Sequence, residues 1–267
     1  MTVMDKFSLQ GRTALVTGGA GLLGKQFTRA LGEAGAAVVV ADLDLKAAQA
    51  QAEALRENNL QALAVAVNVT QPESVASMVD QTVDEFGGLD VLVNSAALDP
   101  KFDPEHEAAQ SANAFEGYDL KKWQHSMDVN LTGVFLSCQA AVKKMVMQGH
   151  GSIINISSIY GLVGPNQSIY SEKFGQNQYK PVDYSVTKAG ILGLTRYLAA
   201  YYAGTKIRVN ALTPGGVYND HEDPFLKNYS AKTILGRMAS TEELTGALLF
   251  LASSASSYMT GSNLVID

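Results

Sequence analysis

A tyrosine and a lysine four residues apart offer the clearest acid–base chemistry in this chain. Tyr184 and Lys188 stand in the segment Tyr-Ser-Val-Thr-Lys at the start of an apolar helical pattern, so both side chains share one helix face. A free tyrosine has a pKa of about 10 and is a poor base at neutral pH. A neighbouring ammonium favours the phenolate, and lowering the pKa by roughly three units corresponds to about 4 kcal/mol. We expect Lys188 to lower the pKa of Tyr184, although such a pair alone also fits a solvated helix face.

A glycine-rich turn near the start of the chain is suited to an anionic cofactor. Residues 13–24 read as a buried strand, a glycine turn and the entry to a helix expected over 25–31. Gly18, Gly21 and Gly24 have the spacing G-x-x-G-x-x-G. Free N–H groups and the dipole at a helix N-terminus favour a pyrophosphate. A side chain at any of these glycines would obstruct the turn, the approach of the pyrophosphate or the packing of the helix on the strand. The strand–turn–helix context predicts a dinucleotide site, although glycines alone also fit a tight turn.

The second apolar run, residues 36–42, ends in an acid. Asp42 lies 18 residues past Gly24, near the position where dinucleotide folds present a carboxylate to the adenosine ribose. A surface acid, or a cap for the helix expected over 45–58, is the competing interpretation. The glycine turn upstream favours the ribose contact.

The remaining chain alternates strands and helices. Strands are expected over 62–69, 89–94, 152–157, 206–213 and 263–266, and helices over 72–86, 119–148, 183–203 and 240–254. The strands are continuous apolar runs, as expected when helices cover both faces of a parallel sheet. The sequence predicts an α/β fold: a Rossmann-type doubly wound sheet of about seven strands in a single domain, residues 1–267.

Two long polar connections follow strands at their carboxyl ends, the edge where open α/β sheets bind ligands. These are residues 97–117 and 161–181, and a further variable loop is expected over 216–235. We expect the first two to cover a small polar substrate rather than to be plain surface insertions. Five basic residues there are candidates for meeting an anionic substrate group, or are ordinary surface residues: Lys101, His106, Lys173, Lys180 and His221.

The composition of the chain argues against some classes of binding partner and bears on the expected cellular location. The chain has 267 residues with 20 Lys and Arg against 26 Asp and Glu, a net charge of −6, which argues against nucleic acid and anionic membranes as partners. No segment resembles a signal peptide, and no apolar run reaches the length of a membrane span. The single cysteine, Cys138, excludes an internal disulfide and a cysteine-rich metal site, so no metal is expected. A reduced, buried Cys138 and a cytoplasmic location are the simplest expectations.

Six segments occur in the order found in one enzyme family. They are Thr17-Gly18 through Gly24, Asn94-Ser95-Ala96-Ala97, Asn130, Ser157-Ser158, Tyr184-x-x-x-Lys188 and Pro214-Gly215-Gly216. Together they resemble the short-chain dehydrogenase/reductase family over essentially the whole chain. The resemblance implies a nicotinamide-dependent oxidoreductase that transfers a hydride between its cofactor and a secondary alcohol or ketone.

The resemblance also implies roles for four catalytic residues. Tyr184 is the acid/base, and Ser158 hydrogen-bonds the reacting oxygen. Lys188 binds the nicotinamide ribose and tunes Tyr184, while Asn130 holds a water in a proton relay. Ser157 is the competing choice for the serine; Ser158 is preferred because it is last in the Ile-Ser-Ser triplet.

Cofactor contacts follow from the same resemblance. They are expected at Gly18, Gly21, Leu22, Leu23, Asp42, Leu43, Asn68, Val69, Asn94, Ala96, Tyr184, Lys188, Pro214, Gly215 and Val217. Asn68 and Asn219 replace residues that commonly contact the cofactor in the family. In family members that use NADP the residue at the position of Gly21 is often basic, whereas glycine carries no charge. Because Asp42 would also repel a 2′-phosphate, we predict NAD.

Two departures from the short family members bear on the substrate. The displaced glycine, Gly21 in place of Leu22, and the 26 residues that separate Ser158 from Tyr184 are similar to sugar-nucleotide enzymes of the superfamily. They favour a sugar, polyol or other small polar substrate. A 3-oxoacyl-carrier reductase and a non-catalytic NAD-binding scaffold or sensor are the alternatives. The resemblance further implies a homodimer or homotetramer built through helices 119–148 and 183–203.

Overall fold

Parallel strands form the centre of the protein. The computed structural model describes residues 2–99, 113–170, 179–221 and 223–267. Within them one sheet contains β1 (Thr13–Thr17), β2 (Ala37–Asp42), β3 (Ala62–Ala66), β4 (Val91–Asn94), β5 (Gly151–Ile156), β6 (Ile207–Pro214) and β7 (Asn263–Ile266). Their order is β3-β2-β1-β4-β5-β6-β7, and every neighbouring pair is parallel. The predicted Rossmann-type, doubly wound α/β domain is confirmed.

Helices cover both faces of this sheet. They are α1 (Leu22–Glu33), α2 (Leu45–Glu57), α3 (Pro72–Phe86), α4 (Leu120–Met127), α5 (Gly133–Gln148), α6 (Val182–Tyr201), α7 (Asp223–Ser230) and α8 (Thr245–Ala252). Helices α3, α5 and α6 bury their apolar sides on one face, and α1 and α8 on the other. Successive strand residues point to opposite faces. Leu15 therefore joins the core with Met78, whereas Val16 joins the core with Phe27.

The first helix begins earlier than the sequence indicated. It starts at Leu22 rather than Lys25, because the N–H of Lys25 already bonds to the Gly21 carbonyl at 3.1 Å. β3 is shorter than expected and ends at Ala66. The chain turns immediately afterwards, where the Asn68 side chain accepts a bond from the Thr70 N–H at 3.1 Å.

The helix expected over 119–148 is interrupted in its middle. α4 and α5 are joined by a π-helical segment, Asp128–Thr132. A π turn accommodates one extra residue, and such turns are frequent at functional sites. Here the segment contains Asn130. The helix expected over 240–254 is likewise α-helical only over Thr245–Ala252, with single 3₁₀ turns at both ends.

The long connections are described only in part. Residues 100–112 and 171–178 of the expected insertions 97–117 and 161–181 lie outside the described residues. Their described parts include the 3₁₀ turns Phe115–Gly117 and Gln167–Tyr170. The variable loop at 216–235 contains α7.

Two further expectations concern chemistry and location. The Cys138 thiol is buried and free, as predicted. Among the helices of the described ranges, none is long and apolar enough to cross a membrane.

Candidate active site

A cavity of about 820 Å³ opens at the carboxyl edge of the sheet. The glycine turn and Asp42 line one end of it. Ser158, Tyr184 and Lys188 line it farther along the sheet. The parallel strands bring these groups together because the carboxyl ends of β1, β2, β5 and β6 meet at the same edge.

The glycine turn is packed too closely against its own backbone to accept side chains at two of its glycines. Gly18 has a φ of 65°, and a Cβ there would lie 2.8 Å from the Cα of Ala96. A Cβ on Gly24 would lie 2.0 Å from the Gly18 carbonyl oxygen. The turn leads directly into α1, whose N-terminal N–H groups favour an anion. These residues fit the pyrophosphate of a dinucleotide.

Asp42 is held at the end of β2 by the backbone around it. Its carboxylate accepts hydrogen bonds from the N–H of Ala20 at 3.1 Å and of Asp44 at 3.2 Å. It lines the cavity beside the exposed Leu43. The N-terminus of α2 is capped by Asp44 instead, which accepts bonds from the N–H groups of Lys46 and Ala47. The competing assignment of Asp42 as a helix cap is therefore wrong.

Most predicted cofactor contacts face this cavity. Lining residues include Gly18, Gly21, Leu22, Leu23, Asp42, Leu43, Asn68, Val69, Ala96, Tyr184, Lys188, Pro214, Gly215 and Val217. Asn219, Lys180 and His221 line it as well. Lys101, His106 and Lys173 lie outside the described residues.

Asn94 is the predicted cofactor residue that does not line the cavity. Its side chain is buried between strands, where Nδ2 donates to Asn155 Oδ1 at 2.8 Å and to the sulfur of Cys138 at 3.3 Å. Asn155 in turn donates to Thr195 Oγ1 at 3.0 Å. The side chain of Asn94 thus links β4 to β5 and, through Asn155, to α6.

The two adjacent serines have different surroundings. Ser157 Oγ donates to the Lys188 carbonyl oxygen at 2.8 Å, and its side chain is turned to the start of α6. Ser158 instead accepts a hydrogen bond from the Tyr160 N–H at 3.2 Å, and its interaction with Tyr184 opposes the rise in the pKa of that tyrosine. Of the two serines, only Ser158 acts on the hydroxyl that the sequence identifies as the acid/base.

Lys188 and Tyr184 differ from the expected electrostatic pair. Lys188 Nζ donates to the Ile156 carbonyl at 2.9 Å and lies 5.7 Å from the centroid of the Tyr184 ring. Burial lowers the pKa of Lys188 to about 8. Burial and the negative charge of Asp99 raise the pKa of Tyr184, whereas its interaction with Ser158 lowers that pKa. The expected lowering of the pKa of Tyr184 is therefore wrong for this structure.

Asn130 is fully buried beside the cavity rather than lining it. Its amide Nδ2 donates to the Leu98 carbonyl at 3.0 Å, and its Oδ1 accepts from the Leu98 N–H at 2.6 Å. The π turn therefore fixes the chain where it leaves β4. The water relay that the resemblance implies for Asn130 stays a prediction.

The far end of the cavity is aromatic. Tyr160 and Tyr170 share a hydrogen bond between their hydroxyls at 2.8 Å, and the Phe225 ring lies 5.4 Å from the Tyr170 ring. Tyr229 and Met238 complete this wall. The sequence did not single these residues out, because Tyr160 and Tyr170 lie in short 3₁₀ turns without a period, and α7, which carries Phe225 and Tyr229, was expected to be a variable loop.

Lys180 brings a second ammonium to the catalytic tyrosine candidate. Its Nζ lies 4.1 Å from the centroid of the Tyr184 ring and forms an ion pair with Asp99. The sequence suggested an anion-binding role for Lys180 but gave no sign of Asp99. Among the described residues, no cluster of three or more His, Cys, Asp or Glu is placed to hold a metal ion.

The fold and the cavity define a class. A doubly wound parallel sheet with a glycine turn and an acidic strand end at its carboxyl edge is a nucleotide-binding Rossmann fold. A family model described as enoyl-(acyl carrier protein) reductase matches residues 19–267. The chain belongs to the short-chain dehydrogenase/reductase family, which confirms the resemblance read from its motifs.

Three relatives act on hydroxyl compounds by name. A cis-4-hydroxycyclohexanecarboxylate dehydrogenase of Sinomonas cyclohexanicum is 38% identical, covering 96% of this chain and 95% of the relative. A 3-alpha-(or 20-beta)-hydroxysteroid dehydrogenase of Mycobacterium bovis is 38% identical, covering 97% of this chain and 89% of the relative. A D-threitol dehydrogenase of Mycolicibacterium smegmatis is 32% identical, covering 100% of this chain and 95% of the relative. This protein is accordingly an oxidoreductase that acts on CH–OH groups.

Solved structures agree in fold. A short-chain type dehydrogenase/reductase from Mycobacterium marinum has a TM-score of 0.86 at 37% identity, covering 100% of this chain and 98% of its own. A gluconate 5-dehydrogenase from Burkholderia cenocepacia J2315, solved with NADP and tartrate, also has a TM-score of 0.86. It is 30% identical, and the match covers 100% of this chain and 97% of its own. Nicotinamide dinucleotides are the cofactors of this family.

Proposed function

We propose that this protein is an NAD-dependent dehydrogenase that interconverts a secondary alcohol and a ketone in a small polar substrate. One observation carries the proposal. Ser158, Tyr184 and Lys188 line a single cavity whose opposite end presents the glycine turn and Asp42.

The side chains divide the work of oxidation between them. Tyr184, as the phenolate, takes the proton from the substrate hydroxyl, and Ser158 holds the same oxygen by a hydrogen bond. Lys188, whose Nζ lies 5.7 Å from the centroid of the Tyr184 ring, binds the nicotinamide ribose. NAD, when bound, supplies the hydride acceptor. In reduction Tyr184 returns the proton to the oxygen.

Asp42 supports NAD over NADP. Its carboxylate is fixed by two backbone N–H groups at the end of β2, where a ribose diol is bound in this fold. A negative charge at that place repels a 2′-phosphate. A relative was solved with NADP, so the dissociation constants of this protein for NAD(H) and NADP(H) test the preference. Tighter binding of NADP(H) than of NAD(H) would overturn this part of the proposal.

The cavity wall and the relatives support a compact substrate. Aromatic side chains at its far end suit the apolar face of a ring or a short carbon skeleton, while Lys180, Asn228 and His221 add polar groups. Two of the relatives are named for compounds of this size, a hydroxycyclohexanecarboxylate and threitol. A sugar, a polyol or a small hydroxy acid fits these features.

Carrier-linked acyl reduction is the second candidate. The description of the matching family model, an enoyl-(acyl carrier protein) reductase, favours it. The net charge of −6 disfavours it, because an acidic carrier protein is recognised by a basic surface. Asp42 disfavours it too, since such reductases usually prefer NADP.

We also propose that the protein self-associates through α5 and α6 and the helical segments before them. Phe135 is 45% exposed, and Tyr197 and Tyr201 on α6 are 64% and 67% exposed. The rings of the two tyrosines stack with their centroids 6.0 Å apart, so both rings are exposed side by side. Exposed apolar side chains that lie together mark candidate association sites. A monomeric mass by light scattering at micromolar concentration would overturn this proposal.

A spectrophotometric screen tests the proposed activity. Sugars, polyols, alicyclic alcohols and hydroxy acids are each supplied with NAD or NADP, and a 3-oxoacyl carrier thioester with NADH or NADPH. NADH formation from one or more alcohols supports the proposal. Turnover confined to the thioester supports the carrier reductase. Binding of NAD without any turnover supports the scaffold.

A further inference from the structure

Two lysines bracket the catalytic tyrosine candidate in sequence, one four residues before it and one four residues after it. The mechanism uses Lys188 and leaves Lys180 without a role. Lys180 Nζ lies 4.1 Å from the centroid of the Tyr184 ring, on the cavity wall. Its side chain is only 10% exposed, which is unusual for a lysine.

The backbone of Lys180 is held in place by one side chain. The Lys180 N–H donates to Gln167 Oε1 at 2.8 Å, and Gln167 Nε2 donates back to the Lys180 carbonyl at 3.4 Å. Gln167 belongs to the 3₁₀ turn that also carries Ile169 and Tyr170 of the aromatic wall. Lys180 is thus tied to the same structure that shapes the far end of the cavity.

The ammonium of Lys180 already holds a carboxylate. Asp99, which also lines the cavity, forms an ion pair with it through Oδ1. The Asp99 side chain is 51% exposed, five times the exposed fraction of its partner. Water therefore compensates Asp99 far better than Lys180 when the pair separates, because desolvation penalises the buried ion most. A carboxylate from another molecule can take the position of Asp99.

We propose that Lys180 binds the carboxylate of the substrate, with Asp99 as the internal counter-ion that this carboxylate displaces. The favoured substrates are hydroxy acids. The ring over which Nζ lies carries the hydroxyl that exchanges the proton, so the reacting CH–OH and the bound carboxylate belong to one small molecule. This inference rests on the proposed function and narrows its substrate class.

Matched substrate pairs test the inference. Lactate, 3-hydroxybutyrate and 4-hydroxycyclohexanecarboxylate are each compared with the corresponding primary amide, which keeps the shape and removes the charge. The readout is the ratio of kcat/KM for the acid to kcat/KM for its amide, at one pH. Ionisation of Tyr184 affects both members of a pair and cancels in this ratio.

The wild-type protein is expected to favour the acid of at least one pair. Lys180→Met is expected to lower that ratio by roughly 10- to 100-fold, the range for a hydrogen bond to a charged group. Lys206→Met removes the same charge from an exposed residue just before β6, at the opposite edge of the sheet, and is expected to leave the ratio unchanged. Asp99→Asn is expected to raise the ratio, since the competing carboxylate is gone.

The outcomes separate the inference from the proposed function. A wild-type preference for no acid, or an unchanged ratio in Lys180→Met, overturns the inference even when amides or polyols are oxidised. Equal losses for acid and amide in Lys180→Met also overturn it, because they indicate a structural role or tuning of Tyr184. A ratio that falls in Asp99→Asn contradicts the displacement of Asp99. A protein that oxidises no alcohol at all refutes the proposed function instead.

Discussion

Lys188 Nζ donates a 2.9 Å hydrogen bond to the carbonyl oxygen of Ile156, the last residue of β5. A second bond, from Ser157 Oγ to the Lys188 carbonyl at 2.8 Å, joins the same two elements. Strand β5 and helix α6 are therefore connected twice, immediately beside Ser158. These two connections fix the start of α6, which carries Tyr184, against the end of β5, which precedes Ser158.

The two serines are expected to respond differently to substitution. Ser158→Ala should lower kcat by about 100-fold or more, as loss of a donor to the reacting oxygen does in other enzymes. Ser157→Ala should lower the free energy of unfolding by about 1 kcal/mol through the lost bond to Lys188, with a smaller loss in kcat. Steady-state kinetics and urea denaturation of both variants check this. A larger loss of kcat in Ser157→Ala would reverse the assignment.

Burial of Lys188 makes stability depend on pH. Its pKa falls to about 8 from the ordinary 10.5, so between these values the unfolded chain binds a proton that the folded chain does not. Lys188 should therefore add a contribution to the free energy of unfolding of the cofactor-free protein that rises with pH in this window, by up to about 1.4 kcal/mol per pH unit. Lys188→Met should lack this contribution.

Urea denaturation from about pH 8 to pH 10, at one protein concentration, measures that slope. The buried tyrosines, whose pKa values are raised, oppose this rise above about pH 9, because the unfolded chain loses their protons near pH 10. Both proteins contain these tyrosines, so the difference between the two slopes isolates Lys188. Equal slopes for the wild type and Lys188→Met would contradict the assignment of the titration to Lys188.

Asp99 should also move the pH profile of oxidation. Its negative charge helps to raise the pKa of Tyr184. Asp99→Asn should lower that pKa, so the rise of kcat/KM with pH for an uncharged alcohol should shift to lower pH by up to about one unit. Asp84→Asn, an equal charge change on α3 away from the cavity, serves as the control. A shift to higher pH, or the same shift in both variants, would contradict this prediction.

The glycine turn makes a prediction about cofactor binding alone. A Cβ on Gly24 would lie 2.0 Å from the Gly18 carbonyl, so Gly24→Ala must move the turn. The dissociation constant for NAD should rise by roughly tenfold or more, which corresponds to about 1.4 kcal/mol. Gly246→Ala, where a Cβ meets nothing within 4 Å, should bind NAD like the wild type. Calorimetric titration checks both, and unchanged binding by Gly24→Ala would argue against a phosphate site at this turn.

The sheet and the position of the cavity at its edge could be predicted from local sequence patterns. Apolar runs such as 37–41 have the length and burial of strands that are covered on both faces. Because such strands are parallel, their carboxyl ends lie at one edge of the sheet. Tyr184 and Lys188 follow from helical spacing. Such patterns suffice to gather Ser158, Tyr184 and Lys188 at one edge.

Other features have no local signal. A strand buried on both faces shows no alternation that would tell which way Asn94 points, and it points into the core. The π turn at Asn130 depends on its bonds to Leu98, which belongs to another part of the chain. The pairing of Asp99 with Lys180 joins two long connections, whose mutual packing no periodicity encodes. The raised pKa of Tyr184 depends on burial and on Asp99, and neither can be read from the spacing to Lys188.

The rate of NADH formation by Tyr184→Phe measures whether Tyr184 is the acid/base of the reaction. The variant removes one hydroxyl and keeps the ring that contacts Lys180, so NAD should still bind with nearly the wild-type dissociation constant. We expect NADH formation from the best alcohol of the screen to become undetectable in this variant at every pH. Turnover by Tyr184→Phe at a rate near that of the wild type would contradict the assignment of Tyr184 as the acid/base.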